Sequence, residues 1–464
     1  MTGIAGRFCL TILLNLTVIL LCCALPLQAA SESVWKAGIA KAVITPEQPL
    51  WMAGYSGRKS PATTALHDLW IKVLVLEDSR GQRGVLLTSD LAGLSRTLYQ
   101  NVLKKIHQRY GLDSSQVVLC TSHTHCGPLL VDFEVEVYPL NEERLADIQR
   151  YSEALEARMV ATVGQALSRV VPVRLTRGQG RARFAVNRRN NAENQVPQLL
   201  ESGTVLNGPV DHSVPVLAIR SATSDQLLGI VLTYACHNTT LSINRWCGDY
   251  AGFAQIALEQ RHPDAVAMFT MGCGGDQNPL PRRTIELCEK YGHELATAVD
   301  TVLNNRMEPV GPRLRTAFQE IQLRFHKLDS REKLQQYSGN QLLGLKQKLA
   351  TRYLQLLDAG QSGMISYPYP MHVWRLGEEQ LWILVAGEAV VDYALRFKQE
   401  IDPSVWVTAY VNDVMEYVPS ARVLREGNYE GTFSYNIPAD RWADDVEDRI
   451  VAGVHQLVAE VNSD

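Results

Sequence analysis

Two histidines separated by one residue sit in the segment Cys120-Thr-Ser-His-Thr-His-Cys-Gly-Pro128, directly after the apolar run 117–119. On extended chain, side chains two apart share a face, so His123 and His125 can present imidazoles to one point. A divalent ion is the simplest chemistry that gathers imidazoles this way; a hydrogen-bonded pair in a turn is the structural alternative. His237 has the same setting, ending the apolar run 230–236 and preceding Asn238-Thr-Thr240. Histidines at the ends of two separate strands are what a site at the rim of a sheet requires. A third apolar run, 265–271, leads into Gly272-Cys-Gly-Gly-Asp-Gln-Asn-Pro279. Glycine lets backbone approach a ligand closely, so Gly274 and Gly275 can offer N–H groups to a developing oxyanion, or simply build a tight turn. Glu388 follows the run 381–387, and two more carboxylates lie in Asn412-Asp-Val-Met-Glu-Tyr-Val418. Carboxylates after apolar strands are costly unless paired or metal-bound, and helix capping or ion pairing would serve equally.

These residues need a scaffold that brings strand ends together. Apolar, β-branched runs at 70–76, 85–87, 117–120, 214–219, 230–236, 265–271, 381–385 and 405–411 read as strands, several too continuously apolar to have a wet face. Between them lie amphipathic stretches. Leu145, Ile148, Leu155, Met159, Val163 and Ala166 form one stripe, and 250–261, 287–304, 333–357 and 443–461 read similarly. The alternation predicts an α/β body, with large mixed sheets covered by helices and the site at the strand-end rim. Residues 31–464 read as a single catalytic domain. A split near 310–330 is the alternative, because the alternating stretch 316–325 could open a new sheet. Polar residues 181–209, which include Arg188 and Arg189, read as a long surface loop.

With 45 Lys+Arg against 49 Asp+Glu the net charge is −4, which argues against a polyanion such as nucleic acid as partner. Residues 1–30 carry Arg7, an apolar run from Cys9 to Leu27 and the small pair Ala29-Ala30, the pattern of an export signal; an uncleaved membrane anchor is the alternative. Three of the nine cysteines fall in that segment. The other six are Cys120, Cys126, Cys236, Cys247, Cys273 and Cys288, whose spacing selects no disulfide pairing and contains no CxxC for a thiolate zinc cluster.

Taken in order, Ile44-Thr-Pro46, Met52-Ala-Gly-Tyr55, His67-Asp68, Thr121 to Pro128, Gly248-Asp-Tyr-Ala-Gly252, Gly275-Asp276, Pro279, Gly387-Glu388 and Asn412 to Val418 resemble the catalytic domain of the neutral/alkaline non-lysosomal ceramidases. The resemblance covers nearly the whole chain after residue 30. It implies an exported hydrolase that cleaves the amide of N-acylsphingosine, or a related N-acyl lipid, with one zinc ion. His123, His237, Glu388 and Tyr417 would be the ligands, and His125 would bind substrate, steady the attacking water or protonate the leaving nitrogen. Asp276 belongs to the same turn, Arg188 and Arg189 would contact a polar headgroup, and Asp90 would be an outer partner of the general acid His125. Peripheral contact with a membrane is in keeping with such a substrate, and the oligomeric state is open.

The departures are specific. Where the family turn has a serine before the proline, this chain has Asn278. Asparagine cannot be a nucleophile, so attack by zinc-activated water, with Asn278 donating to the oxyanion, is the mechanism expected. The Gly-Gly after Pro128 and a Thr-Thr-Pro-Glu-Glu-Tyr run after Tyr417 are missing, and the residues after Tyr429 are too few for an immunoglobulin-like C-terminal domain. The alternatives are a zinc amidase or esterase on a non-ceramide substrate, and a non-catalytic lipid- or glycan-binding relative.

Overall fold

Alternating burial along the strands sets the architecture. In β2 (Trp70–Glu77), β3 (Arg83–Ser89) and β4 (Val117–Thr121), residues Ile71, Val73, Leu87 and Leu119 face one hydrophobic cluster and Leu74, Leu76, Leu86 and Val118 face another. Both faces of the sheet are therefore dry, as the continuous apolar runs predict. The computed structural model describes residues 34–326, 329–340, 345–358, 366–432 and 441–463, and Val34 onward forms one compact unit. The expected export segment, 1–30, lies outside the described residues.

The first sheet also contains β1 (Trp35–Val43), β5 (Val171–Arg181), β7 (Ser213–Ser221), β8 (Leu227–Tyr234), β9 (Val266–Met271) and β11 (Glu308–Val310). Its order is β4-β3-β2-β1-β5-β7-β8-β9, with β11 also paired to β5. Most pairs are antiparallel, but β3–β4 and β8–β9 are parallel. Parallel neighbours need a crossover, here supplied by α1 (Arg96–Tyr110) and α4 (Asp249–Arg261). With α2 (Glu142–Leu167) and α5 (Ile285–Leu303) these helices cover one face. The predicted stripe of α2 is buried at Ile148, Leu155, Met159, Val163 and Ala166, whereas Leu145 is exposed.

The other face is covered by a second sheet rather than by helices. Its strands are β12 (Leu314–Arg324), β13 (Ser366–Leu376), β14 (Gln380–Val385) and β16 (Trp406–Thr408). Trp374, Trp382, Leu384 and Trp406 pack on the first sheet through the second cluster, and burying each such side chain is worth about 1.5–3 kcal/mol. Helix α10 (Val446–Ser463) packs on the far side of β12 and β13. The layers thus run helix, sheet, sheet, helix, and the new sheet does open at the alternating stretch near residue 316.

Three differences from the sequence reading have local causes. The amphipathic stretch 333–357 holds two helices, α6 (Arg331–Ser338) and α7 (Leu345–Asp358), the first ending before Gly339, a poor helix former. Strand β16 stops at Thr408, since Tyr410 and Asn412 turn the chain with φ of 56° and 58°. The polar stretch 181–209 carries the short strand β6 (Ala185–Asn187) and α3 (Val196–Glu201).

Candidate metal centre

Parallel strand pairs end on the same side, and the chain leaves β4, β8, β9 and β14 toward one place. His123 follows β4 with φ of 58°, an unusual backbone for a residue with a side chain. Its loop is bound to the loop after β8: His125 N donates to Asn238 O (3.3 Å) and Asn238 Nδ2 donates to Ser122 O (2.5 Å). His237 N donates to Gln277 O (2.9 Å) in β10 (Gln277–Pro279), which pairs with β6. Glu388 and Tyr417 lie directly opposite each other in the parallel pair β15 (Glu388–Ala389) and β17 (Tyr417–Val418). A Cβ on Gly275 would lie 2.6 Å from Glu388 O, so only glycine allows this turn to pass the carboxylate's strand.

The side chains converge. His123 Nδ1 donates to Ala92 O (2.6 Å) and His237 Nδ1 donates to Gly274 O (2.7 Å). Carbonyls only accept, so Nδ1 of each ring carries a proton, and the neutral form of each ring turns a lone pair on Nε2 inward. Glu388 Oε2 is 3.1 Å from both Nε2 atoms, and His125 Nε2 is 3.1 Å from His123 Nε2. The nearest ligand atoms of the three histidines lie within 4.8 Å of one another. Tyr417 Oη is 3.5 Å from His237 Nε2. A cluster of acceptors with almost no donor repels itself unless a cation or a proton sits among them. Imidazoles with a carboxylate are a donor set for zinc, so these residues fit a divalent ion.

Burial lowers the pKa of His125, reinforced by His123 and His237, and it brings His237 down to about 4, reinforced by Arg188. Both rings are therefore neutral at pH 7, the form in which an imidazole can bind a metal ion or accept a proton. Burial works against charge on His123 and Glu388 too, but their mutual attraction outweighs it, raising His123 and holding Glu388 well below the usual carboxylate range.

The other expected site residues surround this centre in supporting positions. Asp276 is buried, with Oδ1 accepting from Val391 N (2.9 Å) and Oδ2 from Asn187 Nδ2 (3.0 Å) and Arg422 Nη2 (3.2 Å); burial, the largest influence, raises its pKa to about 6. These bonds tie the glycine turn to α8 (Val391–Glu400). Asn278 Oδ1 accepts from Arg188 Nη1 (3.3 Å) and Thr239 Oγ1 (3.5 Å), and its side-chain N–H groups find no partner among the described residues. Arg188 spends its donors inside the protein, on Glu430, Asn278, Gly275 O and Tyr417. Arg189 does the same with Glu426, Glu430 and Gly427 O. Asp90 accepts from Trp70 N and Gln255 Nε2, and the His123 and His237 rings are steadied by the carbonyls of Ala92 and Gly274. The six cysteines of the described residues are buried free thiols.

A cavity of about 630 Å³ opens onto His123, His125, Glu388 and Tyr417. Its walls add Tyr55, Phe133, Val414, Met415 and Tyr429, together with the charged Lys59, Glu134, Arg283 and Glu416. Burial, followed by repulsion from Glu388, raises the Glu134 carboxyl to about 7. Neither Glu134 nor Tyr410, whose hydroxyl donates to Glu388 Oε2 (3.3 Å), was marked by the sequence. Tyr410 looks like a strand residue, and Glu134 lies in a stretch with no clear period.

The family model for neutral/alkaline non-lysosomal ceramidase, N-terminal, matches residues 35–329. Among solved structures, the chain is similar to neutral ceramidase from Pseudomonas aeruginosa, with 19% identity, a TM-score of 0.70, and coverage of 93% of this chain and 74% of that one. It is also similar to a ceramidase complexed with C2, at 18% identity and a TM-score of 0.67, covering 90% of this chain and 73% of that one. At these identities the structures establish a shared fold. No curated protein matches the chain.

Proposed function

Because the chain belongs to the neutral/alkaline non-lysosomal ceramidase family, we propose that it is an exported zinc-dependent hydrolase that cleaves the amide bond of ceramide or a related N-acyl lipid. The observation that carries this reading is the inward convergence of His123 Nε2, His237 Nε2 and Glu388 Oε2, with both ring tautomers fixed by carbonyls. His123, His237 and Glu388 would hold the ion, with Tyr417 and His125 at its open side. When bound, zinc supplies Lewis acidity toward a carbonyl and lowers the pKa of water. The neutral His125 ring can accept a proton from the attacking water and return it to the leaving nitrogen. Asn278 would turn its free amide N–H toward the oxyanion, and Gly274 and Gly275 give that turn its close approach. Arg188 keeps Tyr417 and Asn278 in place rather than binding a headgroup. Residues 1–30 would direct export and be removed, freeing 31–464 as the catalytic body, which could meet its substrate at a membrane surface.

A second reading keeps the chemistry and changes the substrate. Lys59, Glu134, Arg283 and Glu416 on the cavity wall favour a more polar amide or ester than ceramide.

Metal analysis of the purified protein with a substrate panel tests both. N-acylsphingosine, short N-acyl amines and short esters are compared with and without chelator. The proposal expects one zinc per chain, activity abolished by chelation, and loss of bound zinc in His123→Ala and His237→Ala. Full hydrolysis in excess chelator by metal-free protein would overturn it. Zinc-dependent cleavage of the short substrates alone would select the second reading, and zinc binding without turnover would mark a binding protein.

A further inference from the structure

We propose that Tyr410 is a positioning residue that clamps Glu388 to His123 in the arrangement a bound metal ion needs; this rests on the zinc reading above. Five contacts meet at this residue. Its backbone N donates to Gly387 O (3.1 Å), next to Glu388, and its carbonyl accepts from Thr121 N and Thr121 Oγ1 (3.2 Å each), two residues before His123. Its hydroxyl donates to Glu388 Oε2 (3.3 Å), and its ring packs on the His123 imidazole with centroids 4.6 Å apart. One residue thus holds two ligands by both backbone and side chain, across elements distant in sequence.

The backbone conformation points the same way. Tyr410 has φ of 56°, a region that bulky side chains avoid, and it is fully buried. Such strain persists only where the surroundings impose it, and it gathers at functional sites. Here it carries the ring from the end of β16 back over His123. The hydroxyl fixes which way the Glu388 carboxylate faces, the role that outer hydrogen-bond partners play around metal ligands.

The test measures zinc affinity of the metal-free full chain by competition with a chromophoric chelator. Tyr410→Phe keeps the ring and the backbone bonds and removes only the hydroxyl. It should bind zinc at least about tenfold more weakly, with an unchanged far-ultraviolet circular dichroism spectrum. Tyr410→Leu, which also loses the packing on His123, should bind more weakly still. Tyr151→Phe serves as control, because that hydroxyl bonds Ile44 O away from the centre, and its affinity should equal wild type. Zinc binding by Tyr410→Phe within twofold of wild type would overturn the clamp while leaving the zinc reading intact. A wild-type chain that takes up no zinc would overturn both.

Discussion

Arg188 donates to the phenol oxygen of Tyr417 at 3.1 Å while its guanidinium lies against the same ring, 5.5 Å from the centroid. The guanidinium also pairs with Glu430, so one largely buried cation links the Tyr417 phenol to a buried carboxylate. Removing it by Arg188→Met should cost about 3 kcal/mol, the low end for breaking a buried ion pair, because Arg189 still holds Glu430. Turnover should fall more than KM changes, since Arg188 touches Tyr417 and not the cavity. Arg188→Lys should rescue little, as one ammonium cannot replace a planar fork bonded on several sides. Chemical denaturation and steady-state kinetics check both parts, and a variant with wild-type kcat would refute the positioning role.

Asn278→Ala should slow turnover by about 10²-fold, the usual loss on removing an oxyanion donor, without lowering zinc content. Turnover equal to wild type would mean that Asn278 only shapes the turn.

Gly54 has φ of 88°, and a Cβ there would lie 2.4 Å from Cγ of His125. Gly54→Ala must displace the ring or the loop. Misplacing a group by about 1 Å can cost about 10²-fold in rate, so kcat/KM should drop on that scale. The change should also lower the melting temperature. An active, equally stable alanine variant would show that His125 can move freely.

Asp413 is buried, which, despite the hydrogen bond from Tyr367 and the charge of Arg96, raises its carboxyl to about 7. The folded chain therefore keeps a proton that the unfolded chain releases near pH 4. This group's contribution to stability is fully present below that pH and is lost as pH rises through about 7. Asp413→Asn removes the titration and can still accept from Tyr367, so its melting temperature relative to wild type should rise between pH 4 and 8. A difference that stays flat or shrinks would contradict this.

The chemistry-bearing strand ends were legible because two signals coincide there: continuous apolar runs mark buried strands, and a polar residue at their end needs a reason. His123, His237 and Glu388 all carry that signature. What was not legible came from contacts between distant segments. Nothing in the Asn-rich stretch says that Arg188 and Arg189 are consumed by Glu430, or that Asp276 is held by Asn187 and Arg422. The second sheet was hidden for the same reason. An apolar strand face asks only to be covered, and β13 with its tryptophan satisfies it as well as a helix would.

His237 and Glu388 stand 151 residues apart in the chain, yet their ligand atoms are 3.1 Å from each other. Bringing such remote segments together carries a loop-closure entropy that local pairing does not repay. His123, His237 and Glu388 come together only once both sheets have docked, so tight capture of a metal ion would belong to the last stage of folding. Stabilisation by mass action then falls wholly on the native state, and refolding with or without zinc should differ in final yield and unfolding rate rather than in the early collapse of either sheet.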